Sequence, residues 1–280
     1  MTVLDLTPLS DSVGAEVIGV DARRLGADPT LAAAVREALE ANGVLVFRGL
    51  DLDPVAQVAF CRTLGDIDVE PGHHPVEGIY RVTMDKTKNS SADYLKATLD
   101  WHIDGCTPLH DECPQMATML SAKAVSETGG ETELASSYAA FETLDAQTQE
   151  HLLTLKVVHS LEASQSRAHA NPTEEQKARW KARPTSTHPL VWTHADGRRS
   201  LVLGASADHV VGMGVDAGRA LLGELLERAT APDRVYRHSW SVGDTVIWDN
   251  RGVLHRATPY DPDSPREMLR TTVLGDEPIQ

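Results

Sequence analysis

The chain has 280 residues, of which 41% are hydrophobic and 24% charged, and its formal net charge is −15 at pH 7. This composition is typical of a folded globular protein, and the length suits one domain over residues 1–280. An acidic chain repels nucleic acid and anionic membrane surfaces, so we expect neither as a partner.

The N-terminal segment and the cysteines indicate the compartment. The first residues lack the basic stretch and the apolar run of a secretory signal, and no apolar segment reaches the roughly 18 residues of a membrane span. The three cysteines are too few, and odd in number, for a disulfide framework. We therefore expect a cytoplasmic protein, and the sequence leaves a homo-oligomer open.

The first 65 residues mix strands and helices. Residues 13–20 and 44–47 are rich in valine and read as strands. Residues 30–42 repeat apolar side chains at helical spacing and stop at Asn42-Gly43, which predicts a helix. A second helix is predicted over 54–64, because a proline opens it and Gly65 closes it.

Beyond residue 100 the pattern changes to short strands punctuated by Gly, Pro and Asp, with one helix over 216–229. The predicted strands are 117–122, 188–194, 199–204, 234–240, 244–249 and 266–274. Many short strands with a few helices predict a mainly β fold with helical decoration, of the sandwich or jelly-roll type.

Two polar stretches, 85–100 and 163–187, carry little apolar periodicity and read as irregular. Long irregular segments in a compact domain are often lids over a site, although a solvated surface loop explains either one equally well. We expect both to act as lid segments.

Trp101-His102-Ile103-Asp104 carries the first chemical signal. Residues two apart in an extended segment project to the same side, so His102 and Asp104 can bind one metal together. One further histidine would complete the two-histidine, one-carboxylate triad of non-haem Fe(II) oxygenases. Such a pair is common by chance, and the chain holds 12 histidines.

His255 is the favoured third ligand because of its place in a predicted hairpin. A strand ends at Asp249, the Asn250-Arg251-Gly252 segment makes a turn, and a second strand starts at Val253. A histidine just past such a turn stands at the mouth of the sheet, where it can reach a metal.

These motifs resemble the taurine dioxygenase-like family of Fe(II)- and 2-oxoglutarate-dependent oxygenases. The matching segments keep the family order along nearly the whole chain: VGAEVIGVD (13–21), VLVFRG (44–49), WHID (101–104), TGGETELAS (128–136), HPLV (188–191), WDNRGVLHRA (248–257) and RTTVLGDEP (270–278). The resemblance implies a double-stranded β-helix (jelly-roll) core, iron bound by His102, Asp104 and His255, and 2-oxoglutarate and O2 as cosubstrates.

Two arginines point to the cosubstrate. Arg266 and Arg270 fall on one face of the last predicted strand by period-two alternation. Two inward arginines are costly without an anion, and a planar guanidinium pairs well with a carboxylate. The resemblance assigns Arg266 and Thr132 to the distal carboxylate of 2-oxoglutarate and places Arg270 nearer the iron. The alternative makes both arginines surface ion-pair residues, with Asp261, Asp263 and Glu267 as partners.

The substrate loop departs from the family pattern. Where taurine-oxidising members place a histidine and a tyrosine, this chain has Glu70 and His73. A carboxylate would repel a sulfonate, which argues against taurine. Glu70 could instead bind an amine while Arg270 binds an anionic group, so we expect a small zwitterionic or anionic substrate.

The predicted reaction is hydroxylation of a small polar molecule with conversion of 2-oxoglutarate to succinate. The intact Asp104 argues against halogenation, and hydroxylation beside a heteroatom would cleave a C–S, C–O or C–N bond. The alternatives are a non-catalytic jelly-roll binding protein and a zinc hydrolase with the same ligands. The intact triad and Arg266 argue against the first, and the second gives the arginine pair and the TGGET motif no role.

Overall fold

The computed structural model describes residues 3–69, 72–107 and 113–280. The strands are β1 (Asp5–Pro8), β2 (Ala15–Ile18), β3 (Val44–Phe47), β4 (Tyr80–Val82), β5 (Gln115–Ala124), β6 (Thr132–Ser136), β7 (Lys156–His159), β8 (Ser186–Pro189), β9 (Val191–Thr193), β10 (Arg199–Leu201), β11 (Ala207–Val210), β12 (Val235–His238), β13 (Thr245–Asp249), β14 (Val253–Ala257) and β15 (Glu267–Leu274).

The α-helices fall in two parts of the chain, within residues 22–64 and within residues 137–229. They are α1 (Ala22–Leu25), α2 (Pro29–Asn42), α3 (Pro54–Leu64), α4 (Ser137–Glu142), α5 (Ala146–Leu152), α6 (Leu161–Ala168), α7 (Glu174–Lys181) and α8 (Val215–Ala229). Two 3-10 helices span Ala92–Leu99 and Pro232–Arg234. None of the helices in the described ranges is long and apolar enough to span a membrane.

Two sheets form the core of the fold. The larger has seven strands in the order β1-β2-β3-β13-β5-β15-β4, and the smaller has the order β12-β6-β14. Apolar side chains of both sheets meet in one buried cluster, which includes Val46, Leu120, Val246, Leu134 and Val253. This two-layer arrangement confirms the predicted jelly-roll core with helical decoration.

The β3 strand shows why its sequence is apolar throughout. Val44 and Val46 pack between the two sheets, while Leu45 and Phe47 pack on the opposite face, in the cluster that also holds apolar residues of α2 and α3. A strand with both faces covered needs no polar alternation.

The first two predicted helices form as expected because their ends are specified locally. Asp28 caps α2 and Asp53 caps α3 through side-chain hydrogen bonds, and a proline follows each cap. Gly43 ends α2 with a φ of 72°, a conformation that glycine adopts without strain.

The prediction of irregular structure over 85–100 and 163–187 was wrong. The first segment contains the 3-10 helix, and the second contains most of α6, all of α7 and the start of β8. The polar composition of these segments suggested irregular structure. In α7, however, a capping box between Thr173 and Gln176 and the buried side chain of Trp180 stabilise a helix. The predicted strand 188–194 is also divided, between β8 and β9.

Candidate active site

Main-chain pairing brings His102 and His255 together. The amide of His102 donates to the carbonyl of His255 at 3.0 Å, and the amide of His255 donates back to the carbonyl of His102 at 2.9 Å. This isolated antiparallel bridge places the two imidazole rings 4.2 Å apart between centroids. Two residues far apart in the sequence are thus held side by side by the backbone.

Asp104 completes the group from the position two residues after His102. Its Oδ1 lies 3.8 Å from Nε2 of His102, and its Oδ2 lies 3.7 Å from Nε2 of His255. One ligand atom from each of the three side chains lies within 4.8 Å of the others. The convergence expected from the sequence is therefore present.

The protonation state of His255 and the orientation of His102 suit a metal. Burial first, and then the neighbouring His102, lower the pKa of His255 to about 3, so this imidazole is neutral near pH 7. Nδ1 of His102 lies 2.8 Å from the carbonyl oxygen of Asp100, which can only accept, so Nδ1 is the donor in this contact and Nε2 is the nitrogen that faces Asp104.

The carboxyl of Asp104 is ionised despite its environment. Burial alone would raise the pKa of Asp104, but the neighbouring His255, His102 and Arg270 and a hydrogen bond from Thr118 outweigh it and lower the pKa. Two imidazoles and one carboxylate are the donor set of non-haem Fe(II) oxygenases, so these residues fit that metal.

The three side chains line a cavity together with the predicted cosubstrate residues. Both polar and apolar residues line it: Val82, Leu95, Thr98, His102, Asp104, Leu120, Thr132, Trp248, His255, Arg256, Ala257, Tyr260, Arg266 and Arg270. Thr132, Arg266 and Arg270 are thus brought to the same cavity as His102, Asp104 and His255.

Arg266 is buried, with 3% of its surface exposed. Its guanidinium lies 4.8 Å from the centroid of the Tyr260 ring, and its Nε donates to the carbonyl of Gly130 at 3.2 Å. Burial lowers the pKa of Arg266 from its ordinary value. No carboxylate of the described residues forms an ion pair with it.

These contacts contradict the alternative in which Arg266 and Arg270 form ion pairs at the surface. Glu267, one of the acidic partners that reading requires, pairs instead with Arg81 at 3.1 Å and Lys88 at 2.7 Å. Arg266 lies just before β15, where the pairing with β5 is irregular between Glu267 and Met268. It nevertheless faces the cavity, as does Arg270 within the strand.

Arg270 packs against Tyr80, an aromatic side chain that was not predicted from the sequence. Its guanidinium lies 4.7 Å from the centroid of the Tyr80 ring. Its Nε is buried and has no hydrogen-bond partner in the part of the chain that the structure describes. Tyr80 lies opposite Arg270 in the β4–β15 pairing, a register that sequence patterns do not reveal.

Thr132 and His73 differ in their relation to the cavity. Thr132 is 4% exposed, and its hydroxyl accepts a hydrogen bond from Nε1 of Trp240 at 3.0 Å, which leaves its own hydrogen free to donate. His73 is exposed, and it reaches only the outer edge of Tyr80, at 6.1 Å between ring centroids. Glu70, the other predicted substrate residue, lies outside the described residues.

Residues 5–272 match the family described as "Taurine catabolism dioxygenase TauD, TfdA family". The chain belongs to this family. It is similar to the alpha-ketoglutarate-dependent 2,4-dichlorophenoxyacetate dioxygenase of Burkholderia sp. (strain RASC), with 38% identity over 257 residues, 86% of this chain and 84% of the relative. It is 31% identical to the (S)-phenoxypropionate/alpha-ketoglutarate-dioxygenase of Sphingobium herbicidovorans, over 97% of this chain and 95% of that one.

A solved structure gives the same result. The crystal structure of AAD-2 in complex with Mn(II) and N-oxalylglycine matches with a TM-score of 0.83 and 33% identity over the full length of both chains. The predicted family, enzyme class and cofactor set are thereby confirmed: this is a 2-oxoglutarate-dependent non-haem iron dioxygenase that uses Fe(II), 2-oxoglutarate and O2. The non-catalytic and hydrolase alternatives are set aside.

Proposed function

We propose that this dioxygenase oxidises a small carboxylate whose apolar body carries an ether oxygen beside the carboxylate-bearing carbon. Iron is held by His102, Asp104 and His255. The observation that carries the substrate class is Arg270, a guanidinium at the cavity with a buried, unpartnered Nε.

The cosubstrate is assigned to the other arginine. 2-Oxoglutarate carries a carboxylate at each end, and the guanidinium of Arg266 is buried and forms no ion pair with a carboxylate of the described residues. The Thr132 hydroxyl lines the same cavity and has a hydrogen to donate. Together they form a site for the distal carboxylate, since a charged donor fork and a hydroxyl suit that group.

The substrate site is assigned to Arg270 and the apolar wall. Arg270 is close enough to Asp104 to lower the pKa of that carboxyl, so an anion bound to Arg270 lies beside the metal ligands. Val82, Leu95 and Leu120 line the same cavity and suit an apolar body. Two relatives act on small carboxylates with a phenoxy group, according to their names, which fits this combination.

The reaction follows from this placement. Bound iron, with 2-oxoglutarate and O2, supplies the oxidising power that inserts one oxygen atom into a C–H bond, and 2-oxoglutarate leaves as succinate and CO2. Hydroxylation at the carbon between the ether oxygen and the carboxylate gives an unstable hemiacetal or hemiketal. Its C–O bond breaks to release an alcohol and a 2-oxo acid. Arg270 fixes which carbon faces the metal ligands, and the apolar wall excludes water.

The 3-10 helix and the α6–α7 pair are proposed to cover this site. Leu95 and Thr98 of the 3-10 helix line the cavity. On its other side, the guanidinium of Arg179 lies 6.0 Å from the ring centroid of Tyr94. Movement of α6 and α7 would therefore reach the cavity wall through the 3-10 helix.

Succinate release tests the proposed substrate class. The Fe(II)-loaded enzyme is given 2-oxoglutarate, O2 and one compound: phenoxyacetate, phenoxyethanol without the carboxylate, taurine, an alkyl sulfate or an amino acid. We expect phenoxyacetate to stimulate succinate release, with one phenol formed per succinate, and phenoxyethanol to have no effect.

The His255→Ala variant is the control, and it should release no phenol because the metal group is broken. Stimulation by amino acids or taurine alone, with none by phenoxyacetate, would contradict the proposed substrate class. The first of these outcomes would favour the zwitterionic substrate expected from Glu70.

A further inference from the structure

A chain of three hydrogen bonds, two of them buried, connects Trp248 to the carboxylate of Asp104. Nε1 of Trp248 donates to Oδ1 of Asn250 at 3.0 Å. Nδ2 of Asn250 donates to Oγ1 of Thr118 at 2.9 Å, and this hydroxyl donates to Oδ2 of Asp104 at 3.0 Å. Trp248, Asn250 and Thr118 are 3%, 0% and 0% exposed, so bulk water does not compete for the first two bonds.

The donor and acceptor at each step of this hydrogen-bond chain are fixed by the chemistry of its groups. An indole N–H can only donate, so the oxygen of the Asn250 amide must face Trp248. The amide nitrogen then faces Thr118, and it too can only donate. The Thr118 hydroxyl must accept from it, which commits the hydroxyl hydrogen to Asp104.

We propose that Thr118 is a positioning residue for the metal-binding carboxylate. By binding Oδ2, it would fix the rotation of the Asp104 carboxyl group and leave Oδ1 available to a metal. This inference rests on the proposed ligand set but not on the proposed substrate. Groups that hold a ligand in place typically change metal affinity by about 10–100-fold when they are removed.

The first residue of this hydrogen-bond chain, Trp248, also contacts a second metal-binding residue, His255. The indole ring of Trp248 lies 4.6 Å from the imidazole of His255 between ring centroids. Trp248 and Thr118 are directly opposite each other in the β13–β5 pairing. One cross-strand pair therefore contacts two of the three ligands, Trp248 through its ring and Thr118 through its hydroxyl.

A purely structural role is the competing explanation, because any buried hydroxyl bond also stabilises the sheet. Thr271 supplies a matched control on the neighbouring strand β15. It is 1% exposed, and its hydroxyl accepts a hydrogen bond from Nε2 of Gln57 at 3.1 Å, away from the metal group. Thr271→Val removes a buried threonine hydroxyl just as Thr118→Val does.

Binding of Mn(II) to the metal-free full-length protein tests the proposal without any turnover. Free Mn(II) is followed by electron paramagnetic resonance for the parent, Thr118→Val, Thr118→Ser and Thr271→Val, and circular dichroism checks that each variant is folded. We expect Thr118→Val to raise the Mn(II) dissociation constant at least tenfold. Thr118→Ser, which keeps the hydroxyl, and Thr271→Val should stay within about threefold of the parent.

Two results would overturn the positioning role. The first is a folded Thr118→Val protein that binds Mn(II) as tightly as the parent. The second is an equal loss in Thr118→Val and Thr271→Val, which would assign the effect to general destabilisation of the sheet. A different substrate in the succinate assay would leave these affinities unchanged, so failure of the substrate proposal is separable from failure of this one.

Discussion

The metal-binding residues and the two arginines of the cavity differ in how the surrounding protein holds them. On the metal side, the main-chain bridge holds His102 and His255, and Thr118 binds Asp104. On the cation side, the guanidiniums of Arg266 and Arg270 lie against tyrosine rings and form no ion pair with a carboxylate of the described residues. The fold therefore brings the three metal-binding side chains together, whereas the charges of Arg266 and Arg270 are left for bound carboxylates to neutralise.

The largest expected effect concerns Arg266. Arg266→Ala should weaken 2-oxoglutarate binding at least tenfold, because losing a charge-assisted pair in a buried site costs about 2–5 kcal/mol. Mn(II) affinity should remain near that of the parent, since the metal side does not depend on this arginine. An anaerobic titration of 2-oxoglutarate into the Fe(II)-loaded variant, followed by the metal-to-ligand charge-transfer band, measures the change.

Arg266→Lys and Arg270→Ala sharpen the assignment. The lysine keeps the charge but lacks the planar fork, so 2-oxoglutarate affinity should fall between those of the parent and Arg266→Ala. Arg270→Ala should leave 2-oxoglutarate affinity nearly unchanged and raise the KM of the substrate. If Arg266→Ala bound 2-oxoglutarate like the parent, the assignment of the two arginines would be wrong.

Much of this arrangement could be predicted because the signals are local. Asp53, Pro54 and Gly65 fix the ends of α3, and the Asn250-Arg251-Gly252 turn sets His255 just inside β14. The convergence of His102, Asp104 and His255 followed from motif spacing together with family resemblance.

The unpredicted residues are those that act across strands. Thr118, Tyr80 and Tyr260 reach the site only through sheet register or through a loop that folds over Arg266. A single strand pattern does not specify which residue of another strand lies opposite. The helices in 163–187 were missed because their polar surface hides a short apolar contact at Trp180.

An effect of intermediate size is expected in the pH dependence of folding stability, at His159, which does not line the cavity. His159 is fully buried, and its Nε2 has no partner among the described residues. Burial, followed by His188 and Arg167, lowers the pKa of His159 from 6.5 to about 3. Because the unfolded chain takes up this proton more readily, folding stability is lost as the pH falls from 6.5 toward 3, by about 2 kcal/mol at pH 5.

His159→Asn should remove this loss, because the amide does not titrate and can still contact Ser206. Urea unfolding of parent and variant at pH 8 and pH 5 measures it. The free energy of unfolding of the variant, relative to the parent, should rise by about 2 kcal/mol between the two pH values. An unchanged difference would show that His159 is not buried as a neutral group.

The smallest expected effect is a difference in local opening. Amides of the 3-10 helix Ala92–Leu99 and of the α6–α7 pair should exchange with solvent faster than those of the central strand β5, because these short polar elements bury few side chains. Addition of 2-oxoglutarate and substrate should slow them. Hydrogen exchange followed by mass spectrometry makes the comparison, and exchange as slow as in β5 without ligands would argue against a lid.

The bridge between His102 and His255 has a consequence for how the enzyme acquires its metal. Since backbone hydrogen bonds pair the two histidines, the ligand group is assembled in the folded protein and the ion can enter last. Nitrogen and oxygen donors of this kind bind most divalent first-row metals, with affinities that follow the Irving–Williams order rather than a preference for iron. Correct loading therefore depends on which ions the cell supplies when folding is complete, and zinc or copper present at that moment would yield a folded but inactive enzyme.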